Sequence, residues 1–296
     1  MAHSLWTPTQ AARYVLAALR WQSTLPRTVH QDISQEFVPG RGTTINVRKP
    51  VSAGTANTYT PTNRTARDAI TFDDLSDSVV PVVLANQVYK AVRLPDDFAT
   101  FTLEDITAQV LKPQAESVVD ALTAPLVTEM VAIAGVTGTE VAVDGSDALK
   151  VVGRCRKVLN DRKVPMADRW LAVGTELAED LLNLKELTAV NESGSDGALR
   201  EGTIGRLRGF TVLEDPALPE DQGVAYHRDA FAHVTRPSRN PEGATRSATI
   251  AEGGFALRWL QHYNPLQLED QSVVDTFVGA KTLDATRAVG ITKASS

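Results

Sequence analysis

His227, Asp229 and His233 are the one close grouping of residue types that metal binding or acid–base chemistry uses. Two imidazoles and a carboxylate could hold a divalent ion or pass a proton. On a single regular strand, however, the outer two would stand about 20 Å apart at roughly 3.3 Å per residue. One ion cannot bridge that span, so the three read as surface or interface polar groups. A metal-dependent or acid–base α/β enzyme using them is the reading they leave as an alternative.

The other reactive residue types lead to the same place. Asp73-Asp74, Asp96-Asp97, Glu104-Asp105 and Glu269-Asp270 offer the paired carboxylates of a glycosidase or a magnesium site, but they precede helices or sit in turns, where a carboxylate caps backbone N–H groups. Cys155 lies between Arg154 and Arg156-Lys157, cations that would lower a thiol pKa, while the helical periodicity around it suits a buried structural cysteine. As the only cysteine it excludes an internal disulfide and a cysteine-built zinc site. No phosphate loop or nucleophile elbow is present, and Gly40-Arg41-Gly42 lacks the third glycine of a dinucleotide site. The expectation is no catalytic residue, no cofactor and no metal.

Composition narrows the class further. With 296 residues and 43% hydrophobic side chains, the chain can bury sizeable cores in one large or two smaller domains. A net charge of -6 argues against gripping nucleic acid over the whole surface. The first fifty residues differ, because Arg13, Arg20, Arg27, Arg41, Arg48 and Lys49 face only Asp32 and Glu36. The start does not read as a signal peptide, and no run approaches the roughly twenty apolar residues of a membrane span.

Several elements can be read from periodicity. Thr7 to Leu19 is a helix with Thr7 as N-cap, Pro8 in the first turn, and Ala11, Ala12, Val15, Leu16 and Leu19 on one face. Thr43–Arg48 is strand-like. Pro50 to Thr71 is rich in Thr, Ala and Asn and too poor in large apolar side chains to build a core, so it is flexible or lies on a partner surface. Val79–Leu94 returns to strand composition, broken by Pro81 and Asn86. Leu103–Leu111 and Pro113–Ala134 read as one interrupted helix, kinked at Pro125, with Leu111, Ala115, Val118, Leu122, Leu126, Met130 and Ile133 on one stripe. Alternating α and β elements follow: helix Asp147–Asp161, strand Arg169–Val173 and helix Thr175–Leu184. Strands are expected at Val224–Val234, Phe255–Leu260 and Val273–Leu283.

The most informative stretch is Ile204-Gly205-Arg206-Leu207-Arg208-Gly209-Phe210-Thr211-Val212. Gly205 and Gly209 set a turn, and Phe210 and Val212 alternate into a strand. This order resembles the G-x-(I/L)-x-G-F-x-V segment of tailed-phage major capsid proteins of the HK97-type fold. Other segments extend the resemblance collinearly. Gly42-Thr43-Thr44-Ile45-Asn46-Val47-Arg48-Lys49-Pro50 is similar to the start of the extended loop in the Salmonella-phage coat-protein branch, and Phe101-Thr102-Leu103-Glu104-Asp105 to the start of the spine helix. Tyr226-His227-Arg228-Asp229-Ala230-Phe231-Ala232 and Gly279-Ala280-Lys281-Thr282-Leu283-Asp284 resemble later segments.

The resemblance implies an α+β chain: an N-terminal arm (1–35), an extended β-hairpin loop with flanking strands (36–95), a peripheral domain with a spine helix (96–145), an axial domain (146–262), and a return to the peripheral domain with a tail (263–296). It implies assembly roles for Gly42, Ile45, Val47, Lys49, Gly205, Gly209, Phe210 and Val212. The expected function is a major capsid protein whose hexamers and pentamers form an icosahedral head around double-stranded DNA, without sequence-specific contact, in the bacterial host cytoplasm. A separate scaffold protein, a portal and a decoration protein are the expected partners, with no membrane. Two departures from relatives stand out: no internal scaffolding domain is expected, and no large inserted domain. Some relatives join the loop to a neighbour by a lysine–asparagine isopeptide bond, yet Pro50–Asp77 contains no lysine. An encapsulin-like compartment enclosing a cargo enzyme is the alternative on the same fold.

Overall fold

The computed structural model describes residues 7–22, 24–31, 43–48, 56–70, 72, 79–97, 107–184, 205–243 and 246–295. Helix α1 (Pro8–Gln22) begins with a reciprocal cap. Gln10 N–H donates to Thr7 Oγ1 (3.3 Å) while Thr7 N–H donates to Gln10 Oε1 (3.1 Å), a capping box that satisfies two otherwise orphaned donors. The face foreseen from the sequence, Ala11, Ala12, Val15, Leu16 and Leu19, is buried. It packs in one cluster with Leu111, Ala115, Val118 and Leu122 and with Phe255, Leu257 and Trp259. The Ala11 to Leu19 face of this helix is therefore part of the core of its own chain.

Strands β1 (Thr44–Arg48) and β2 (Val79–Val83) flank a short helix α2 (Pro61–Ala66), and β3 (Asn86–Pro95) follows. A π-helical turn, Thr107–Leu111, leads into α3 (Lys112–Val131). Pro113 sits in the first turn of α3, where its missing N–H costs nothing, and Pro125 is carried inside. At 1.5 Å per residue α3 is about 30 Å long, and its stripe serves two clusters. Leu111, Ala115, Val118 and Leu122 meet α1, while Leu126 and Met130 join Leu25, Val29, Tyr226 and Phe231.

Two large sheets flank this helix. The six-stranded sheet has the order β4-β13-β8-β5-β7-β6, from β4 (Gly135–Val141), β5 (Arg169–Val173), β6 (Arg206–Leu207), β7 (Phe210–Glu214), β8 (Gln222–His227) and β13 (Ala288–Lys293). Its β4–β13 and β5–β7 pairs are parallel. Helices α4 (Ala148–Asp161) and α5 (Thr175–Leu182) contribute Val151, Val152, Cys155, Leu159, Leu177 and Leu181 to its core. The five-stranded sheet is antiparallel throughout, ordered β10-β11-β12-β3 with β9 also pairing β12. It is formed by β9 (Phe231–Arg236), β10 (Arg246–Glu252), β11 (Phe255–Asn264) and β12 (Glu269–Thr282) together with β3.

Three expectations change. The single strand at Val224–Val234 is two strands in different sheets, parted by a 3-10 turn at Arg228–Ala230. The turn forms because His227 Nδ1 accepts the N–H of Asp229 (3.2 Å), a local side-chain cap that competes with strand continuation. Divisions at 145 and 262 cut through both sheets: β4 and β13 join the six-stranded one, while β9, β10 and β11 pair with β12 or lie beyond it. Strands β4 and β10 were not foreseen. The first contains Gly135 and Gly138 and reads as a helix stop, and the second, Arg246-Ser247-Ala248-Thr249-Ile250-Ala251-Glu252, is too rich in small residues to signal a strand.

Candidate assembly surface

The strap formed by β1 and β2 pairs antiparallel from Thr44↔Val83 to Arg48↔Val79. Period-two alternation gives it two faces. Ile45, Val47, Val82 and Leu84 are buried on Ala232, Val234 and Leu283, whereas Thr44, Asn46, Val79, Pro81 and Val83 are exposed. Pro81 fits because the pair has no further strand to receive an N–H. Close approach to β12 is possible only at glycine, since a Cβ on Gly279 would lie 2.6 Å from the Val83 carbonyl oxygen. Ile45 and Val47, assigned to assembly by the resemblance, thus anchor the strap on its own chain. Gly42 and Lys49 lie outside the described residues, as do Asp73-Asp74 and Glu104-Asp105.

Between the two strands the chain carries α2, locally well made and largely exposed. Thr60 Oγ1 accepts Asn63 N–H (3.3 Å), Arg67 closes the helix in the left-handed region (φ 55°), and Tyr59 OH donates to the carbonyls of Asn63 (3.0 Å) and Asp68 (2.7 Å). No residue of α2 is buried. Ile70 is 60% and Phe72 85% exposed, a large apolar outlay for solvent. A groove of about 420 Å³ opens beside the strap, lined among others by Val83, Val88, Ala121, Pro125, Val278 and Ala280. The sequence foretold the missing core of this segment but not its helix.

The glycine–phenylalanine stretch is a tight hairpin. Arg208 (φ 48°) and Gly209 (φ 89°) form the two-residue turn between Leu207 and Phe210, a mirror-image turn whose twist matches that of the strands. Gly205 (φ 64°) accepts Val212 N–H at 2.9 Å. Phe210 is fully buried in the core that holds Cys155 and Leu171, and Val212 is half-buried against it.

The histidines are not a surface pair, contrary to the sequence reading. His233 is wholly buried and His227 is 6% exposed, because the turn between them sends each into a different sheet. His233 bonds the Leu122 carbonyl through Nε2 (3.2 Å), and burial pushes it down to about 4, so the ring is neutral at pH 7. Burial also lowers the pKa of His227, opposed by Asp229 and reinforced by Arg287. The two rings lie on strands of different sheets, so His227, Asp229 and His233 do not gather into one three-residue site, and no group of three or more His, Cys, Asp or Glu that could hold an ion occurs among the described residues. Cys155 is buried, its thiol pushed up to about 12 by desolvation, so the flanking cations do not activate it. Of the remaining acidic pairs, Asp96 accepts from Tyr263 OH (2.9 Å) and Glu269, which opens strand β12 and does not sit in a turn, faces Arg93 (3.7 Å), so these contacts are made across the fold and not within a local cap.

Sequence reasoning missed two polar clusters. Asp275 in β12 is 1% exposed and accepts Arg258 Nε (2.7 Å) and Nη2 (2.9 Å), Gln87 Nε2 (2.6 Å) and Ser238 Oγ (2.5 Å). The second lies where the chain passes between the sheets and includes His30, His227, Asp229, Asp284 and Arg287. Members of one cluster lie up to 257 positions apart along the chain, from His30 to Arg287, beyond any local signal.

No protein-family model matches the chain, and no curated protein matches it in sequence. Solved structures do. A chain of Mycobacterium phage Che8 superposes with a TM-score of 0.66 at 20% identity, covering 98% of this chain and 94% of that one. The capsid of cyanophage P-SCSP1u matches with a TM-score of 0.60 at 12% identity over 86% and 84% of the two chains. A virus-like particle from Pyrococcus furiosus matches with 0.54 at 10% identity over 96% and 98%. The chain shares its α+β fold with these structures. More particularly, it is the HK97-type capsid fold that the sequence resemblance implied.

Proposed function

We propose that this chain is the major capsid protein of a tailed bacteriophage, a structural subunit that assembles in hexamers and pentamers into an icosahedral head enclosing double-stranded DNA. The observation that carries this reading is the end-to-end likeness to the Che8 chain, 98% of one on 94% of the other. Its work is done at interfaces, where burial of apolar surface between copies supplies the assembly energy. The exposed strap face, α2, Ile70 and Phe72 are the surfaces offered to neighbouring copies. In this reading the six-stranded sheet forms the axial domain and the five-stranded sheet with α3 the peripheral one. A net charge of -6 suits a container that must not bind its genome tightly. A separate scaffold protein, a portal and a decoration protein complete the particle, which is built in the host cytoplasm and becomes the virion shell.

Deleting Pro50–Thr71 and closing the gap with a short Gly-Ser linker is expected to leave a soluble, cooperatively melting subunit that forms no shells, because no described residue of α2 contributes to the core. Normal particles by negative-stain microscopy would overturn the assembly role of the loop. Particles boiled in detergent, with or without reductant, are expected to run as one band near 31.9 kDa. Cys155 is buried, the loop carries no lysine between Pro50 and Asp77, and the lysines to test first are Lys49, outside the described residues, and Lys90, exposed on β3. A ladder of multimers would demonstrate a covalent weld.

The likeness to the Pyrococcus furiosus particle keeps one rival in view, an encapsulin-like compartment enclosing a cargo enzyme. Nucleic acid content separates the two. Nuclease-protected DNA in particles from the natural source supports the head, and a co-purifying enzyme without DNA supports the compartment.

A further inference from the structure

Two of the passages between the sheets lie against each other. The chain leaves the six-stranded sheet at Arg228–Ala230, between β8 and β9, and returns to it at Ala285–Arg287, between β12 and β13. Leu283 and Asp284 both donate their N–H to the Ala230 carbonyl, at 2.8 and 3.2 Å. Arg287 then spans the two turns, with Nη1 3.3 Å from Asp229 Oδ2 and Nε 3.4 Å from Asp284 Oδ2. They are two of the covalent joints between the sheets, so a rotation of one sheet against the other strains them.

Asp229 is shared. Besides Arg287 it faces His227 Nδ1 at 3.7 Å on Oδ2 and His30 Nδ1 at 3.8 Å on Oδ1. His30 is tied in by the backbone, donating its N–H to the Phe231 carbonyl (3.1 Å) and accepting from His233 N–H (3.0 Å). The tautomer of His227 is fixed by the geometry: Nδ1 accepts the Asp229 N–H at 3.2 Å, so in this arrangement it carries a lone pair and no proton.

We propose that these two turns form a proton-operated latch between the sheets, closed while His227 is neutral and released when it takes a proton. Protonation at Nδ1 places an N–H opposite the Asp229 N–H, which removes the cap that folds the first turn. It also brings a cation beside an Asp229 carboxylate already paired to Arg287. With that proton in place His227 and Arg287 compete for one carboxylate, and the Arg287 bridge between the turns is the contact that yields. The charged groups facing His227 are Asp229, Arg287, Asp168 and Arg169. The two arginines and the burial of the ring oppose the proton, the two carboxylates favour it, and burial is the largest influence. Because the folded pKa lies below the ordinary value of about 6.5, the latch is intact at neutral pH and its stabilisation is lost as pH falls below that value. This inference concerns the joint within one chain and holds whatever the chain assembles into.

The test is amide hydrogen exchange on the whole chain at pH 7.5 and pH 5, corrected for intrinsic exchange rates, following peptides over 228–231 and 283–288. Protection of both is expected to fall together, by roughly tenfold or more. In His227→Asn, where the amide oxygen replaces the Nδ1 acceptor and cannot titrate, protection should change less than about twofold over the same range. Unchanged protection in the natural chain, or a full pH response in the variant, would overturn the latch. Should the variant fail to fold, the natural chain decides alone by NMR: the Asp229 and Arg287 amides must shift with the His227 ring titration, and amides that stay still while the ring titrates refute the proposal.

Discussion

Replacing Asp275 by alanine is expected to lower the stability of the chain by about 3–5 kcal/mol, the cost of stranding one partner of a buried ion pair. The carboxylate sits in the middle of β12, opposite Arg258 of β11 and Tyr89 of β3. Val274 beside it faces the α1 and α3 core, so Asp275 points to the other face of the sheet. There the segment after β9 closes over it, with Ser238 donating to the carboxylate and the Arg239 carbonyl accepting from Arg258 Nη1. Four donor contacts converge on two oxygens. Without the carboxylate, Arg258, its side chain 14% exposed, keeps its charge and loses its counter-ion.

The double replacement Arg258→Met with Asp275→Leu is expected to recover most of that loss, because two apolar side chains of similar volume leave no uncompensated charge. Chemical denaturation midpoints of the single and double variants measure both effects. A single variant as stable as the natural chain would show that the pair does not hold the 237–243 segment down. A double variant no better than the single would show that the hydrogen bonds, and not the stranded charge, carry the cost.

Legibility in the sequence followed the range of the interactions. The α1 face, α4 and β5 were readable because periodicity and caps act within a few residues, and Ala11, Ala12, Val15, Leu16 and Leu19 are buried as their spacing required. The β8–β9 break was not, because the cap that makes it uses a histidine whose neighbours, Val224 to Tyr226 and Phe231 to Val234, all favour strand. Chemistry at His227 and His233 was weighed as if one strand carried both. Two sheets carry them, and each ring is consumed by a contact that fixes the backbone. The Asp275 and Asp229 clusters escaped notice because their members come from β3, β11, β12 and three separate turns, and only the fold brings them together.

Removing the ring of Phe210, as Phe210→Ala, is expected to cost about 3–5 kcal/mol, the range for deleting a fully buried phenylalanine. The ring has no exposed surface and belongs to the core built by α4, α5 and the six-stranded sheet. It also pins the hairpin at the sheet edge, where the two-residue β6 pairs, among the described residues, with β7 alone. Backbone and side chain can be separated there. A Cβ on Gly209 would meet nothing within 4 Å, but its φ is +89°, so Gly209→Ala pays for conformation alone, about 1–2 kcal/mol. Phe210→Leu keeps most of the volume and is expected to fall well short of the alanine cost. The order alanine at 210, then alanine at 209 or leucine at 210, in thermal and denaturant midpoints would identify core packing as the reason a phenylalanine follows the glycine. If Phe210→Ala melts with the natural chain, the ring is not buried as described and the hairpin is held by its turn.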